Sequence, residues 1–530
     1  MGTPTQQARR GADLDARGAG RNAEIELKLL ADPDALARLN AAPVVARHAR
    51  NGGLVRRLEA VYYDTPDRAL HRNGLSLRVR RSGSRYIQTL KRVLPNGGNF
   101  ARGEWECPVE SVAPDLARLP AAELGNAIDP AVAHALVPVF TTKVRRRTRR
   151  LDLAESEVEI AFDEGTIEAG DRREPLSEVE LELKRGDAGV LYDIGAELLD
   201  IAPLRVGTVS KSDRGYGLAF GEAPRETRAG PSGVQAGHSV DDAIAIVLGE
   251  TRQHLLANQA AAEDGRNLEG VHQMRVALRR MRTGFSIFRR ALELPALAAF
   301  NDDAKRMGQK LGVARNWDVF VTETLAAPAE ACGGIDFARL RAAAEPHRAA
   351  AYADLRAALR DPAYNRFQLA LGHWIERRGW RNEVPADSLA ALSEPVAALA
   401  ARMLDRLHRK ALKQGAHFRH LPAPGRHRLR IALKKLRYGA EFFAGVYGDH
   451  GGAGRWLSRL GKLQTALGRD HDAASLPELL AAIEGAEPVP ELQRPIGALL
   501  GWSARDGIAA AATLEERWRK FKHASGYWSG

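Results

Sequence analysis

Glu24-Ile25-Glu26-Leu27-Lys28, near the start of the chain, alternates charged and apolar residues. On a β-strand this alternation sends Glu24, Glu26 and Lys28 out of one face and Ile25, Leu27 and Leu29 out of the other. A partly solvated ladder strand reads the same way. A second stretch with the same pattern, Glu178-Val179-Glu180-Leu181-Glu182-Leu183-Lys184, shifts the balance. Two such strands facing one interior would gather up to five carboxylates, and these cannot all stay ionised without a cation. Hard oxygen donors of this kind point to Mg²⁺ or Mn²⁺.

The chain of 530 residues is too long for one ordinary core, so about two to four domains are expected. Hydrophobic residues make up 45% and aromatics only 6%; Ala, Leu and Arg dominate, which predicts helix over much of the length. Cys107 and Cys332 lie far apart without CxxC spacing, so neither a disulfide framework nor a zinc site is indicated, and a reducing cytosol is the expected home. No apolar run approaches the ~18 residues of a membrane span. Residues 1–21 lack the apolar core of a secretory signal and read as a disordered tail. The formal charge of +12 is unevenly spread: residues 231–530 hold 43 Lys and Arg against 32 Asp and Glu, whereas residues 1–230 hold 35 against 34. The second half should therefore attract a polyanion.

Residues 22–220 have strand texture, with predicted strands at 23–30, 55–63, 75–81, 85–92, 101–109, 140–150, 156–163, 166–169 and 177–184. Helices are predicted near 32–41, 114–137 and 188–200. So many closely spaced strands suggest a sheet curled into a barrel. Arg78 and Arg80 share a strand face, Lys91 ends the next strand, and Glu104 and Glu106 share a face after Arg102. A lone Arg-x-Arg strand is usually a solvated one. Repeated over several strands, opposed acids and bases match a metal-bound polyphosphate, with guanidinium forks on phosphate oxygens and the metal bridging them.

Together, Glu24-x-Glu26-x-Lys28, Tyr63-Asp64-Thr65-Pro66, Ser76-Leu77-Arg78-Val79-Arg80, Thr89-Leu90-Lys91, Arg102-x-Glu104-x-Glu106, Glu178 to Lys184 and Ser210-Lys211-Ser212-x-Arg214-Gly215-Tyr216 resemble the CYTH family, the triphosphate tunnel metalloenzymes. The resemblance covers nearly all of residues 22–221. It implies an α+β domain built on an eight-stranded antiparallel barrel whose tunnel takes a triphosphate. Carried over, Glu24, Glu26, Glu104, Glu180 and Glu182 would hold the metal, with Glu178 either a ligand or an orienting group behind them. Lys28, Arg78, Arg80, Lys91, Arg146 and Lys211 would clamp phosphates, and Glu24, Glu26 and Lys28 would form the catalytic centre, with water attacking the terminal phosphorus in line.

Residues 222–238 are rich in Gly and Pro and read as a linker. From 239 to 523 the texture is helical and repeats itself. Val271-His272-Gln273-Met274-Arg275-Val276-Ala277-Leu278-Arg279-Arg280-Met281-Arg282 recurs as Arg426-His427-Arg428-Leu429-Arg430-Ile431-Ala432-Leu433-Lys434-Lys435-Leu436-Arg437, and Arg315-Asn316-Trp317-Asp318 is echoed by Arg469-Asp470-His471-Asp472. In the first copy His272, Arg275, Arg279 and Arg282 lie along one side, opposite Met274, Leu278, Met281 and Phe285. A charged helix face is usually just solvated, but this one occurs twice, so two facing copies would line one basic groove. The Asp residues of the echo are expected to brace it by pairing with those arginines.

The doubled motif resembles the CHAD domain, a conserved-histidine α-helical module. That resemblance implies an all-α pair of pseudo-symmetric four-helix bundles binding inorganic polyphosphate through His272, Arg275, Arg279, Arg280, Arg282, His427, Arg430, Lys434, Lys435 and Arg437. The joint expectation is a cytoplasmic, Mg²⁺- or Mn²⁺-dependent inorganic triphosphatase that binds tripolyphosphate and long-chain polyphosphate, associates with polyphosphate granules, and has no membrane or specific nucleic-acid partner. Stacking aromatics between the bases, which a nucleic-acid binder would use, are sparse. A polyphosphate-binding protein without turnover, or an adenylate cyclase-like activity on ATP, remains open at this point.

Overall fold

The computed structural model describes residues 23–50, 52–93, 101–119, 130–448, 452–485 and 489–529; the expected tail and much of the helix expected at 114–137 lie outside them. The chain divides into two compact units, Met1–Pro224 with Arg360–His373, and Arg225–Leu359 with Trp374–Gly530.

The first unit is built on nine antiparallel strands: β1 (Ala23–Ala31), β2 (Leu54–Asp64), β3 (Leu75–Ser82), β4 (Arg85–Val93), β5 (Ala101–Val109), β6 (Val137–Leu153), β7 (Ser156–Ala169), β8 (Arg172–Arg185) and β9 (Leu204–Val206). Their order is β5-β4-β3-β2-β6-β7-β8-β1-β9, and β5 also pairs with β1 over three residues, Ala23 to Ile25. The sheet thus rolls back on itself through a short seam. The family resemblance implied eight strands; the additional one, β9, which was not among the predicted stretches, lies beside the C-terminal half of β1, which the β5 ladder leaves uncovered. The stretches expected as two strands at 156–163 and 166–169 are one strand. Gly165 permits it: a Cβ there would sit 2.0 Å from the Lys143 carbonyl oxygen. Along β1, β3, β7 and β8, Leu27, Leu29, Leu77, Val79, Ile160, Val179 and Leu181 are buried and charged residues between them turn to the sheet interior.

Helix α1 (Gly189–Ile201) follows β8, and α2 (Lys211–Phe220), N-capped by Ser210, ends this part of the chain. The excursion Arg360–His373 was not expected from the sequence. It carries the side chains that draw it into the first unit: Asn365 Oδ1 accepts the Val206 N–H of edge strand β9 at 3.1 Å, and Arg366 and His373 meet Asp200 and Asp193 of α1 at 2.6 and 3.1 Å.

The second unit is helical: α3 (Val240–Ala257), α4 (Leu268–Leu292), α5 (Ala296–Val319), α6 (Phe337–Arg360), then α7 (Pro362–Glu376), whose first part belongs to the first unit, and α8 (Val396–Gln414), α9 (Ala423–Phe442), α10 (Gly452–Glu484) and α11 (Pro490–Lys522). Helix α4 packs between α3 and α5, α9 packs between α8 and α10, α11 lies on α10, and α4 and α9 touch each other. The two repeated helices thus sit at the meeting of two helical groups. Met274, Leu278, Met281, Phe285 and Phe288 form the buried stripe of α4. A capping box at Ser239 and Asp242 starts α3.

Gly165→Ala forces the β6–β7 ladder apart. Overpacking of this kind costs about 1–3 kcal/mol, and a unit of this size loses about 2–4 °C per kcal/mol, so thermal unfolding of the first unit should begin several degrees lower.

Candidate active site

Four strands, β1, β6, β7 and β8, and one helix bring the densest charge in the first unit together. On β1, the Lys28 ammonium lies 2.6 Å from Glu180 Oε1, 2.9 Å from Glu178 Oε1 and 3.6 Å from Glu26 Oε1. The ladder register sets this up, pairing Lys28 with Glu180 and Glu26 with Glu182 across β1 and β8. At the first turn of α2, Lys211 Nζ lies 2.7 Å from Glu180 Oε1 and 2.8 Å from Asp163 Oδ2, and also pairs with Glu178. From β6, Arg146 grips Asp163 with two bonds, Nε–Oδ1 at 2.7 Å and a terminal nitrogen on Oδ2 at 2.6 Å, and reaches Glu180 as well. Asp163 and Glu178 are fully buried.

Electrostatics follow from this packing. Burial alone would raise the pKa values of Glu180 and Asp163, but Lys211 and Arg146 beside both, with Lys28 beside Glu180, hold Glu180 well below the ordinary carboxylate range and Asp163 below it. Burial opposes the charge of Lys28 and of Lys211, yet the surrounding carboxylates raise both above the ordinary lysine value. All these groups are therefore ionised at neutral pH.

Oxygens of Asp163, Glu178 and Glu180 lie within 4.8 Å of one another, and Glu178 Oε2 is buried without a hydrogen-bond partner among the described residues. Three hard oxygen donors with one lone pair left unserved fit a small divalent cation. This differs from the expected set of Glu24, Glu26, Glu104, Glu180 and Glu182. Glu180 is in the trio and Glu178 takes a direct place in it. Glu26 and Glu182 occupy paired positions on the same face beside it. Glu104 lies elsewhere, 3.1 Å from Lys91 and 3.8 Å from Arg78. Glu24 pairs through its backbone with Arg102, but its side chain lies outside the described residues. Asp163 was missed. Its signal is present in the sequence: Glu157, Glu159, Ala161 and Asp163 alternate with Val158, Ile160 and Phe162 along β7.

A second set of pairs lines β3, β4 and β5. Arg80 lies 3.3 Å from Glu106, whose carboxylate also accepts from Thr89 at 2.9 Å. Arg78 and Lys91 share Glu104. Burial and the neighbouring Arg78 push the Arg80 pKa down. Helix α2, which delivers Lys211, is held by the buried Asp64: it accepts the N–H groups of Thr65, Leu70 and His71 at 2.8, 2.8 and 3.0 Å and the Tyr216 hydroxyl at 2.7 Å. Gly215 lets that helix close on Phe140, which a Cβ would meet at 2.1 Å.

In the second unit α4 and α9 carry the repeated bases. Lys435 has its pKa lowered by burial and by Lys410, Arg282 and Arg290 around it, so residues of both copies share one electropositive region. Arg280 is different from its neighbours: it is buried, 2.6 Å from Glu441 and stacked on Phe442. It braces α4 against α9 and does not face a groove. Arg275 donates to the Gly312 carbonyl at 3.1 Å, Arg282 to Asn301 at 3.1 Å, and Arg437 to Glu441 at 2.7 Å. Burial, together with Arg315, Arg279 and Arg275, lowers the His272 pKa against the opposing Glu269, so this imidazole is neutral at pH 7. His427, Arg430 and Lys434 lie on α9. Asp318 does brace the unit, but through Arg348 (2.8 Å) and Tyr352 (2.9 Å) of α6, not through the bases of α4. The side chains of Arg469 to Asp472 lie outside the described residues.

No helix among the described residues is long and apolar enough to cross a membrane. In comparisons with known proteins, the CYTH domain family matches residues 22–216 and the CHAD domain family residues 246–481. An inorganic triphosphatase of Haemophilus influenzae is 33% identical over 164 residues, covering 29% of this chain and 44% of that protein. An uncharacterized protein of Mycobacterium tuberculosis is 28% identical over 280 residues, 49% of this chain and 52% of that protein. These matches thus span about half the length of the curated relatives. The crystal structure of the CHAD domain from the plant Ricinus communis is similar at 27% identity and a TM-score of 0.49, covering 57% of this chain and 98% of that one. The two family matches succeed one another without overlap and coincide with the sheet and the helices: the chain is a CYTH domain followed by a CHAD domain.

Proposed function

We propose that the CYTH unit is a metal-dependent inorganic triphosphatase and that the CHAD unit binds inorganic polyphosphate. The observation that carries this reading is the interlocked set of three carboxylates and three bases inside the rolled sheet. A relative named as an inorganic triphosphatase supports the same reaction class.

Asp163, Glu178 and Glu180 would hold the cation, with Glu26 and Glu182 beside them. Bound Mg²⁺ or Mn²⁺ supplies Lewis-acid polarisation of phosphoryl oxygens and a water of lowered pKa. Lys28, Lys211 and Arg146 pair with carboxylates in the free protein and would turn to phosphate oxygens as the substrate enters, while the accompanying metal ion would take up the carboxylates they release. Arg78, Arg80 and Lys91 receive the same chain from β3 and β4. Water adds to the terminal phosphorus as the anhydride bond breaks, giving orthophosphate and pyrophosphate. These six bases orient the phosphates and neutralise charge as it develops.

Phosphate release from tripolyphosphate should require Mg²⁺ or Mn²⁺ and stop with EDTA. Glu180→Gln should lower kcat at least a hundredfold, because it removes a partner of the metal and of all three bases. Absence of release from tripolyphosphate by the unmodified protein would leave a binding protein without turnover.

In metal-free protein the charge network gives a defined pH response. The depressed Glu180 and Asp163 contribute stability in full above the ordinary carboxylate values, about pH 4, and that contribution is lost as pH falls through their lower folded values. In EDTA the melting transition of the first unit should hold its midpoint from pH 7 to about 4.5 and drop below it; a steep loss of that transition between pH 6 and 5 would contradict the network, whereas the second unit, whose His254, His272 and His408 have lowered pKa values, weakens below the ordinary histidine value.

For the second unit, replacing Arg282, Lys434 and Lys435 by Ala should weaken long-chain polyphosphate binding at least tenfold, about 1.4 kcal/mol. Calorimetry with long-chain polyphosphate measures this, and the tripolyphosphatase rate should be unaltered.

A further inference from the structure

The ladder between β2 and β6 pairs Arg56 directly with Arg146. Directly opposed residues project from the same face, with Cβ atoms about 4.5–5.5 Å apart. Arg146 turns inward to Asp163 and Glu180, so Arg56 stands on the interior face too. It lies beyond the end of β3, whose last pairing with β2 is Ser82 with Leu58.

Arg56 differs from every other base assigned to that interior. Lys28, Arg78, Arg80, Lys91, Arg146 and Lys211 each hold at least one carboxylate. Arg56 is exposed and makes no hydrogen bond or ion pair among the described residues. Like charges directly opposite one another destabilise a ladder. Asp163 and Glu180 compensate Arg146, whereas only solvent compensates Arg56. The fold gains nothing from the second guanidinium.

The interior also has a direction. Lys211, Asp163 and Glu178 are buried, whereas Arg56, at the outer limit of the cross-strand row Arg56, Arg146, Asp163, Glu178, is exposed. A chain of three phosphates engages the buried bases, and a fourth phosphate must extend outward.

We propose that Arg56 binds the outer phosphate of inorganic chains longer than tripolyphosphate and so sets the chain-length preference of this site. The guanidinium fork matches two phosphate oxygens, and no acid needs to be displaced first. This inference rests on the triphosphatase reading above.

The test compares kcat/KM for tetrapolyphosphate with that for tripolyphosphate, with Mg²⁺, in the full-length chain and in Arg56→Gln and Arg56→Lys. In Arg56→Gln the tetra- to tripolyphosphate ratio should fall about tenfold, the worth of one charge-assisted hydrogen bond. Arg56→Lys should recover part of it, because the charge returns without the fork. A merely structural role would lower the melting temperature and leave the ratio alone. An unchanged ratio in Arg56→Gln overturns the assignment of Arg56 while leaving the triphosphatase reading intact. Failure of the unmodified chain to hydrolyse either substrate overturns that reading first, and this inference with it.

Discussion

Asp163 and Glu178 have no contact with water, and a carboxylate in that position survives as an ion only where cations face it. The neighbouring Glu180 is the hub, because Lys28, Lys211 and Arg146 all meet it. Those three bases come from β1, α2 and β6, and the acids from β7 and β8. The four strands are consecutive neighbours in the sheet, so their ladder registers bring acids and bases together, and α2 closes on them to add Lys211. Asp64 and Tyr216 hold that helix in place through hydrogen bonds a long way from the network itself.

Such an interior is poorly suited to stability and well suited to exchange. Replacing buried ion pairs by apolar residues of similar volume commonly stabilises a fold, so a cluster of this density is informative about chemistry. In the proposed reaction each acid would pass from an ammonium or guanidinium to a metal ion, and each base from a carboxylate to a phosphate. Glu178 Oε2 is buried without a hydrogen-bond partner among the described residues, the Arg214 guanidinium standing 3.8 Å away.

The helical unit handles charge in another way. Its bases are spread along α4 and α9, and much of their demand is met by carbonyls, amides and single carboxylates, as at Arg275, Arg282 and Arg437. Lys435 feels Lys410, Arg282 and Arg290 together, which leaves the region electropositive. Arg280 is the exception, committed to Glu441 and Phe442. A doubled sequence motif thus contains both binding candidates and one packing residue that looks the same in a one-dimensional pattern.

The strands other than β9, the change to helix after the linker, the repeat and the shared faces of Lys28, Arg78 and Arg80 were legible in the sequence, because side-chain periodicity is a local consequence of backbone geometry; Lys91, Arg146 and Lys211 were assigned to phosphate through the resemblance to the CYTH family. The same alternation placed Glu26 and Glu182 on the inward face, and within the predicted strand 156–163 it puts Asp163 there too, although that residue was not singled out. What periodicity does not contain is register. Which acids meet which bases depends on pairing between strands far apart in sequence, as when Lys28 meets Glu180 and Arg146 meets Asp163. For the same reason only the tertiary structure separated Arg280 from its neighbours, turned Asp318 to Arg348, and carried Arg360–His373 into the first unit. Each of these outcomes is a contact between distant segments, chosen by shape and charge complementarity after the local pattern has already been spent on forming the element.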